Sequence, residues 1–250
     1  MKMIINNLAV EYRDEGSGPT MLFLHGWQDN LHTFDALVDV LKDKWRIVRV
    51  DLPGSGASEM PKSAWNLDRY VQFVTDFIAK LGVSPEIIVG HSFGGRILIK
   101  AIAIKAIHPQ KAVLIGSAGI TKTHTPRNIF FKICAKLGKI IILIPPFFFW
   151  RDSIRKKLYT AAGSDYLQAG ALRDTFLNII KEDLSSAAAE IDIPILLIWG
   201  SDDTETPVSD GKQLAAIIPG SRFKIIPNAG HFVHQEYPEH VSELIQDFLL

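Results

Sequence analysis

Short apolar runs recur along the chain, each ending in glycine or another turn residue: TMLFLHGW, RIVRVDLPGSG, EIIVGHS, AVLIGSA, PILLIWGSDD and RFKIIPNAGH. Their length and nearly unbroken apolar character predict strands buried on both faces. Between them, Leu31 to Leu41, Leu67 to Leu81, Phe93 to Ile107 and Asp210 to Ile218 read as helices, and the closing PEHVSELIQDFL places a proline at a first helical turn. This alternation predicts an α/β fold, a mostly parallel central sheet flanked by helices. The amino-terminal KMIINNLAVEYRDEG is less apolar and predicts one or two antiparallel edge strands. The alternation breaks between residues 120 and 191. There RNIFFKICAKLGKIIILIPPFFFWRDSIRKKLY and ALRDTFLNIIKEDLSSAAAEID look helical and interrupted, and the segment far exceeds an ordinary connection. The expected organisation is a core of residues 1–119 and 192–250 with a helical cap, 120–191, inserted into it.

Composition narrows the classes of function. The 250 residues are 47% hydrophobic and 22% charged, ordinary for a globular chain, and the formal net charge is zero. No nucleic-acid partner is therefore expected. The charge is unevenly placed: Phe93 to Arg151 holds ten Lys and Arg and no Asp or Glu. From Lys122 to Lys157, nine basic residues face one acid, Asp152. Such a run reads as a solvated surface, or as an attraction for a carboxylate-bearing substrate or an anionic lipid surface. Ile140 to Trp150 is apolar but only eleven residues long with two prolines, too short for a transmembrane segment. Burial inside the cap is the favoured reading; lining an apolar pocket or touching lipid at the surface is the alternative. One cysteine, Cys134, excludes an intrachain disulfide and a thiol zinc cluster. With no signal-peptide-like apolar stretch at the amino terminus, a cytoplasmic protein is expected.

The candidate chemistry centres on GHSFG, Gly90 to Gly94. Where G-x-S-x-G closes a strand and opens a helix, its serine occupies a tight turn that lifts the hydroxyl above the sheet edge. The backbone N–H of Phe93, at the helix start, can then face a developing oxyanion. A serine hydroxyl needs a base, and the base an orienting carboxylate. Among eight histidines, His231 follows a strand on a glycine-assisted turn, so it would sit at the same sheet edge as Ser92. His234 reads as a loop-positioning residue and His240 as part of the last helix. Asp202 and Asp203 follow the buried PILLIWG strand, and no acid is available in the loop after AVLIGSA. In FLHGW, the N–H of Trp27 is a second candidate oxyanion donor, while His25 and His91 read as turn and packing residues.

LFLHGWQDN, VDLPGSGASE, IIVGHSFGG, VLIGSAG, ILLIWGSDDTETP and NAGHFVHQEYPEHVSELIQDFL, in this order, resemble the signature blocks of the α/β-hydrolase family, in its single-domain branch with a helical cap. The resemblance covers nearly the whole chain outside the cap. It implies Ser92 as nucleophile, His231 as base and, counting three residues past Gly200, Asp203 as the acid; Asp51 would be structural. It also implies a serine esterase or lipase-like hydrolase that needs no metal or organic cofactor and acts on a small or medium carboxylic ester with an apolar part. Carbon–carbon bond hydrolysis of a vinylogous diketo acid, and ligand binding without catalysis, are the alternatives, because fold and triad do not choose a substrate.

Overall fold

The computed structural model describes residues 1–120 and 170–250. Eight strands, β1 (Lys2–Ile5), β2 (Leu8–Glu15), β3 (Thr20–Leu24), β4 (Arg46–Val50), β5 (Ile87–His91), β6 (Lys111–Ile115), β7 (Ile195–Gly200) and β8 (Arg222–Ile226), form one sheet in the order β1-β2-β4-β3-β5-β6-β7-β8. β1 and β2 run antiparallel to their neighbours, and the other six strands are parallel. The described helices are α1 (Asp35–Leu41), α2 (Leu67–Leu81), α3 (Phe93–Ala103), α4 (Arg173–Ile180), α5 (Ser185–Ala189), α6 (Val208–Ile217), α7 (Val233–Glu236) and α8 (Pro238–Leu249).

Alternate residues of each central strand feed opposite cores. Leu22, Leu24, Ile88, Leu114 and Leu197 pack with α2 and α3, while Met21, Phe23, Val89, Val113 and Ile198 pack with α1 and α8. Burial on both faces is what the unbroken apolar runs require. α2 begins where the Asn66 side chain accepts from Arg69 N–H and ends at Gly82, whose φ of 68° suits its missing side chain.

Two expectations are corrected. RFKII is a strand, but as β8 it lies at the sheet edge with Ile225 exposed, and its charged Arg222 and Lys224 suit an edge rather than an interior. α3 stops at Ala103 rather than Ile107: Lys105 takes a φ of 57°, its N–H bonds Ile102 O at 2.9 Å, and Ala106 N–H bonds Ala101 O at 2.9 Å. That is a Schellman closure with lysine where glycine is usual.

Of the expected cap, the described residues hold a 3₁₀ turn (Gly170–Leu172), α4 and α5. The remainder, with the basic run, Cys134 and the Ile140 to Trp150 stretch, lies outside the described residues. Among the described residues, no helix is long and apolar enough to cross a membrane.

Candidate active site

Parallel strands deliver their following loops to one edge of the sheet, and the loops after β3, β5, β6, β7 and β8 meet there. β5 ends at His91 and α3 opens at Phe93, so Ser92 alone turns the chain. It does so at φ 49°, ψ −108°, a conformation unfavourable for a residue with a side chain. Three hydrogen bonds hold the turn: Ser92 N–H to Ile115 O at 3.0 Å, and Arg96 and Ala118 N–H to Ser92 O at 3.2 and 3.1 Å. A Cβ on Gly94 would collide with the Leu24 carbonyl oxygen, so glycine is what lets α3 start directly against the end of β3. That approach brings the Trp27 loop beside Ser92. Neither the Trp27 nor the Phe93 backbone N–H is bonded to another described residue.

The loop after β7 supplies the carboxylate. Asp203 is 5% exposed, and its Oδ1 accepts from the N–H groups of Glu205 and Thr206, both at 2.9 Å. Its Oδ2 lies 2.8 Å from His231 Nδ1 and 2.9 Å from Thr206 Oγ1. The Trp199 indole N–H, inside the core, donates to Thr206 O at 2.8 Å and anchors this loop from below. Asp202, the neighbour that the pattern left as an alternative, points elsewhere and accepts from Ser201 Oγ at 2.8 Å. The loop after β6 contributes no acid, but it does make room: Gly116, at φ 47°, has the position of its absent Cβ 3.2 Å from His231 Nδ1 and 3.3 Å from Asp203 Oδ2.

With Nδ1–H donating to Asp203, the unprotonated nitrogen of His231 is Nε2, which stands 3.5 Å from Glu205 Oε2. Ser92 and His231 line the same small cavity. A larger cavity of about 390 Å³ opens on the other side of Ser92, walled by Phe93, Ile120 and, from α4, Phe176, Ile179 and Ile180. Arg96, one helical turn past Ser92, also borders it; its Nη2 donates to the carbonyls of Ile179 (2.7 Å) and Glu182, tying the end of α4 to α3. Burial lowers the Arg96 pKa from its ordinary value.

The other histidines behave differently. His25 Nε2 accepts from Leu52 N–H at 2.9 Å, so Nδ1 carries the proton and donates to Gly26 O at 2.7 Å. Burial holds its pKa below the usual histidine value. Burial, reinforced by the charges of His234 and His231, pushes His91 well down, and burial with the His231 charge pushes His234 down to about 3. Both are therefore neutral. His240 sits exposed on α8 beside Glu243. Asp51 accepts from Leu31 and Ala57 N–H at 2.7 Å each, a structural use. Among the described residues, no group of three or more His, Cys, Asp or Glu could hold a metal ion.

The profile of the Alpha/beta hydrolase family matches residues 21–243. The chain belongs to that family. It is 28% identical over 257 residues to the uncharacterized hydrolase YugF of Bacillus subtilis (strain 168), spanning 97% of this chain and 94% of the relative. Its fold superposes on a membrane phospholipase A with a TM-score of 0.77 at 22% identity, covering 100% of this chain and 84% of that one. A thermophilic esterase from Thermogutta terrifontis gives 0.75 at 18% identity, covering 100% and 97%. This family member has the mostly parallel sheet that its signature blocks implied, and its amino terminus supplies two antiparallel strands, for eight in all.

Three residues of the site escape the sequence pattern. Thr206 and Glu205 lie in the quoted SDDTETP, and Asp29 lies in GWQDN, but nothing in those strings distinguishes a loop acid in a cavity from one in solvent.

Proposed function

We propose that this α/β hydrolase is a serine hydrolase of carboxylic esters. The observation that carries the reading is the buried Asp203–His231 pair, 2.8 Å apart, with His231 lining the same cavity as the strained Ser92. His231 Nε2 takes the proton of Ser92 as Oγ attacks the ester carbonyl, and Asp203 holds the imidazole in the tautomer that leaves Nε2 free. The N–H groups of Trp27 and Phe93 donate to the tetrahedral oxyanion. His231 then returns the proton to the departing alcohol, and water releases the acyl-enzyme by the same route. The apolar walls of the larger cavity suit an apolar acyl chain. Segment 120–191 acts as a helical cap whose α4 forms one wall of that cavity.

Carbon–carbon cleavage of a diketo acid needs a cation for the substrate carboxylate. Among the described residues, Arg96 is the cation that lines the larger cavity; its Nη2 is spent on two backbone carbonyls while its buried Nε has no described partner, so the substrate panel below decides between the two readings.

A fluorophosphonate probe and a panel of p-nitrophenyl esters of rising acyl length test the proposal. The expected result is stoichiometric labelling of Ser92 with turnover of short and medium esters, and loss of about 10⁴-fold or more in kcat for Ser92→Ala. An unlabelled Ser92 would point to a binding protein. Turnover of a ring-cleavage diketo acid with negligible ester hydrolysis would replace the ester reading.

A further inference from the structure

The two cavities meet at Trp27, Ser92 and Glu205, which line both, and they differ in chemistry. On the proposed acyl-enzyme reading, on which this inference rests, His231 Nε2 gives its proton to the departing atom. The leaving group therefore occupies the side of Ser92 that His231 lines, which is the smaller cavity, of about 190 Å³. Two carboxylates, Asp29 and Glu205, line that cavity, and no lysine or arginine does among the described residues.

Its buried polar atoms are chiefly acceptors in want of a donor. Asp29 Oδ1 accepts from Asn30 N–H at 2.8 Å, but Asp29 Oδ2 is buried with no partner among the described residues. His91 is 1% exposed; its Nε2–H donates to His231 O at 3.1 Å, leaving Nδ1 an unprotonated acceptor, also without a partner among the described residues. That nitrogen faces Gly26, another residue of the cavity wall, 3.1 Å from where a Cβ would stand. Glu205 is fixed through its backbone, since its N–H is bonded to Asp203 Oδ1 at 2.9 Å, so its carboxylate enters the cavity from the same loop that supplies the acid. The buried Trp27 indole N–H is an unpartnered donor here, but it is neutral and leaves the charge of the cavity unchanged. The larger cavity is walled mainly by apolar residues and carries both signs of charge on its border, Arg96 with Glu205 and Asp210, whereas the smaller cavity has its two carboxylates and no described cation.

We propose that the smaller cavity receives a cationic leaving group, so that the preferred substrates are esters of apolar acids with amino alcohols. The acyl chain fills the larger cavity, and the carboxylates of Glu205 and Asp29 attract the ammonium group. Water adds across the ester C–O bond, giving the carboxylic acid and the free amino alcohol.

Three butyrates with different alcohols test this: choline, its uncharged carbon isostere 3,3-dimethylbutanol, and the anionic glycolate. At low salt, kcat/KM for the choline ester is expected to exceed that for the isostere about tenfold and that for the glycolate ester by more, with the ratio shrinking as NaCl rises. In the double variant Asp29→Asn, Glu205→Gln, the choline-to-isostere ratio should fall to within about twofold. A neutral ester cleaved as well as the choline ester, or a preference that the double variant leaves intact, would overturn the inference while the labelled Ser92 kept the hydrolase reading. Failure of all three esters together with an unlabelled Ser92 would overturn both.

Discussion

His25 and His231 occupy loops at the same sheet edge, after β3 and β8, and both are buried, yet the structure uses them in opposite ways. His25 has both nitrogens committed to backbone, one accepting from Leu52 N–H and one donating to Gly26 O. His231 commits only Nδ1, to a carboxylate, and its Nε2 is left beside Glu205 in a cavity with Ser92. A histidine with two backbone partners is a rigid strut, and burial keeps it neutral. A histidine with one acidic partner and one open nitrogen can accept a proton and be stabilised as it does so. What separates the roles is the partner of the second nitrogen.

The sharpest way to break this comparison is to change the partner of His231 without touching the ring. Asp203→Asn would keep the shape of the buried loop but favour the wrong tautomer, so kcat/KM should fall about 10³- to 10⁴-fold. Asp202→Asn should stay within about threefold, since among the described residues that side chain is hydrogen-bonded to Ser201 alone. Steady-state kinetics on one ester checks both. A severe Asp202 variant beside a mild Asp203 variant would reverse the assignment.

These two aspartates also show how far the chain could be read in advance. The helix Leu67–Leu81 and the end helix Pro238–Leu249 are legible to the residue, because helical spacing coincides with Asn66 and Gly82 around the first and with Pro238 at the start of the second. The end of α3 was not, because Lys105 takes a left-handed turn that the pattern reserves for glycine. β8 was legible as a strand but not as an edge, since strand order is a tertiary fact that composition does not encode. In the site, Ser92 and His231 stood out by position. Asp203 was separated from Asp202 only by resemblance, and the physical difference between them, four donors converging on one carboxylate, exists only once Thr206 and His231 are folded against it. Asp29 and Glu205 gave no signal because a cavity is formed by several loops at once.

The converse test removes the strut. His25→Leu would leave Leu52 N–H buried without its partner and take from Gly26 O the shorter of its two bonds, the Asp29 N–H at 3.4 Å remaining, so a loss of about 1–3 kcal/mol in unfolding free energy is expected. The folded fraction should still be labelled by a fluorophosphonate, because His25 touches no member of the proposed triad in its hydrogen bonding. Urea denaturation together with active-site titration separates the two readouts. Lost labelling in a protein of unchanged stability would mean that His25 takes part in the chemistry.

The smallest effect belongs to His234, buried behind His231, with Nε2 3.1 Å from Thr33 Oγ1. Its pKa, pushed down to about 3 in the folded chain, lies below the value near 6.5 expected in the unfolded chain. Between those values the unfolded state binds the extra proton, so this residue lowers stability as pH falls through 6.5 and goes on doing so toward 3. From pH 7 to pH 5 the loss is about 2 kcal/mol for this one group. Replacing it with glutamine, which can still meet Thr33, should remove one proton from the pH dependence, a reduction in slope of about 1.4 kcal/mol per pH unit around pH 5. The slope that persists comes from His25 and His91, whose pKa values are also lowered by burial. Urea midpoints measured across this range for both proteins give the answer. Parallel curves would mean that His234 is protonated as readily in the folded chain as in the unfolded one, and that His231 has a neighbour that can share its charge.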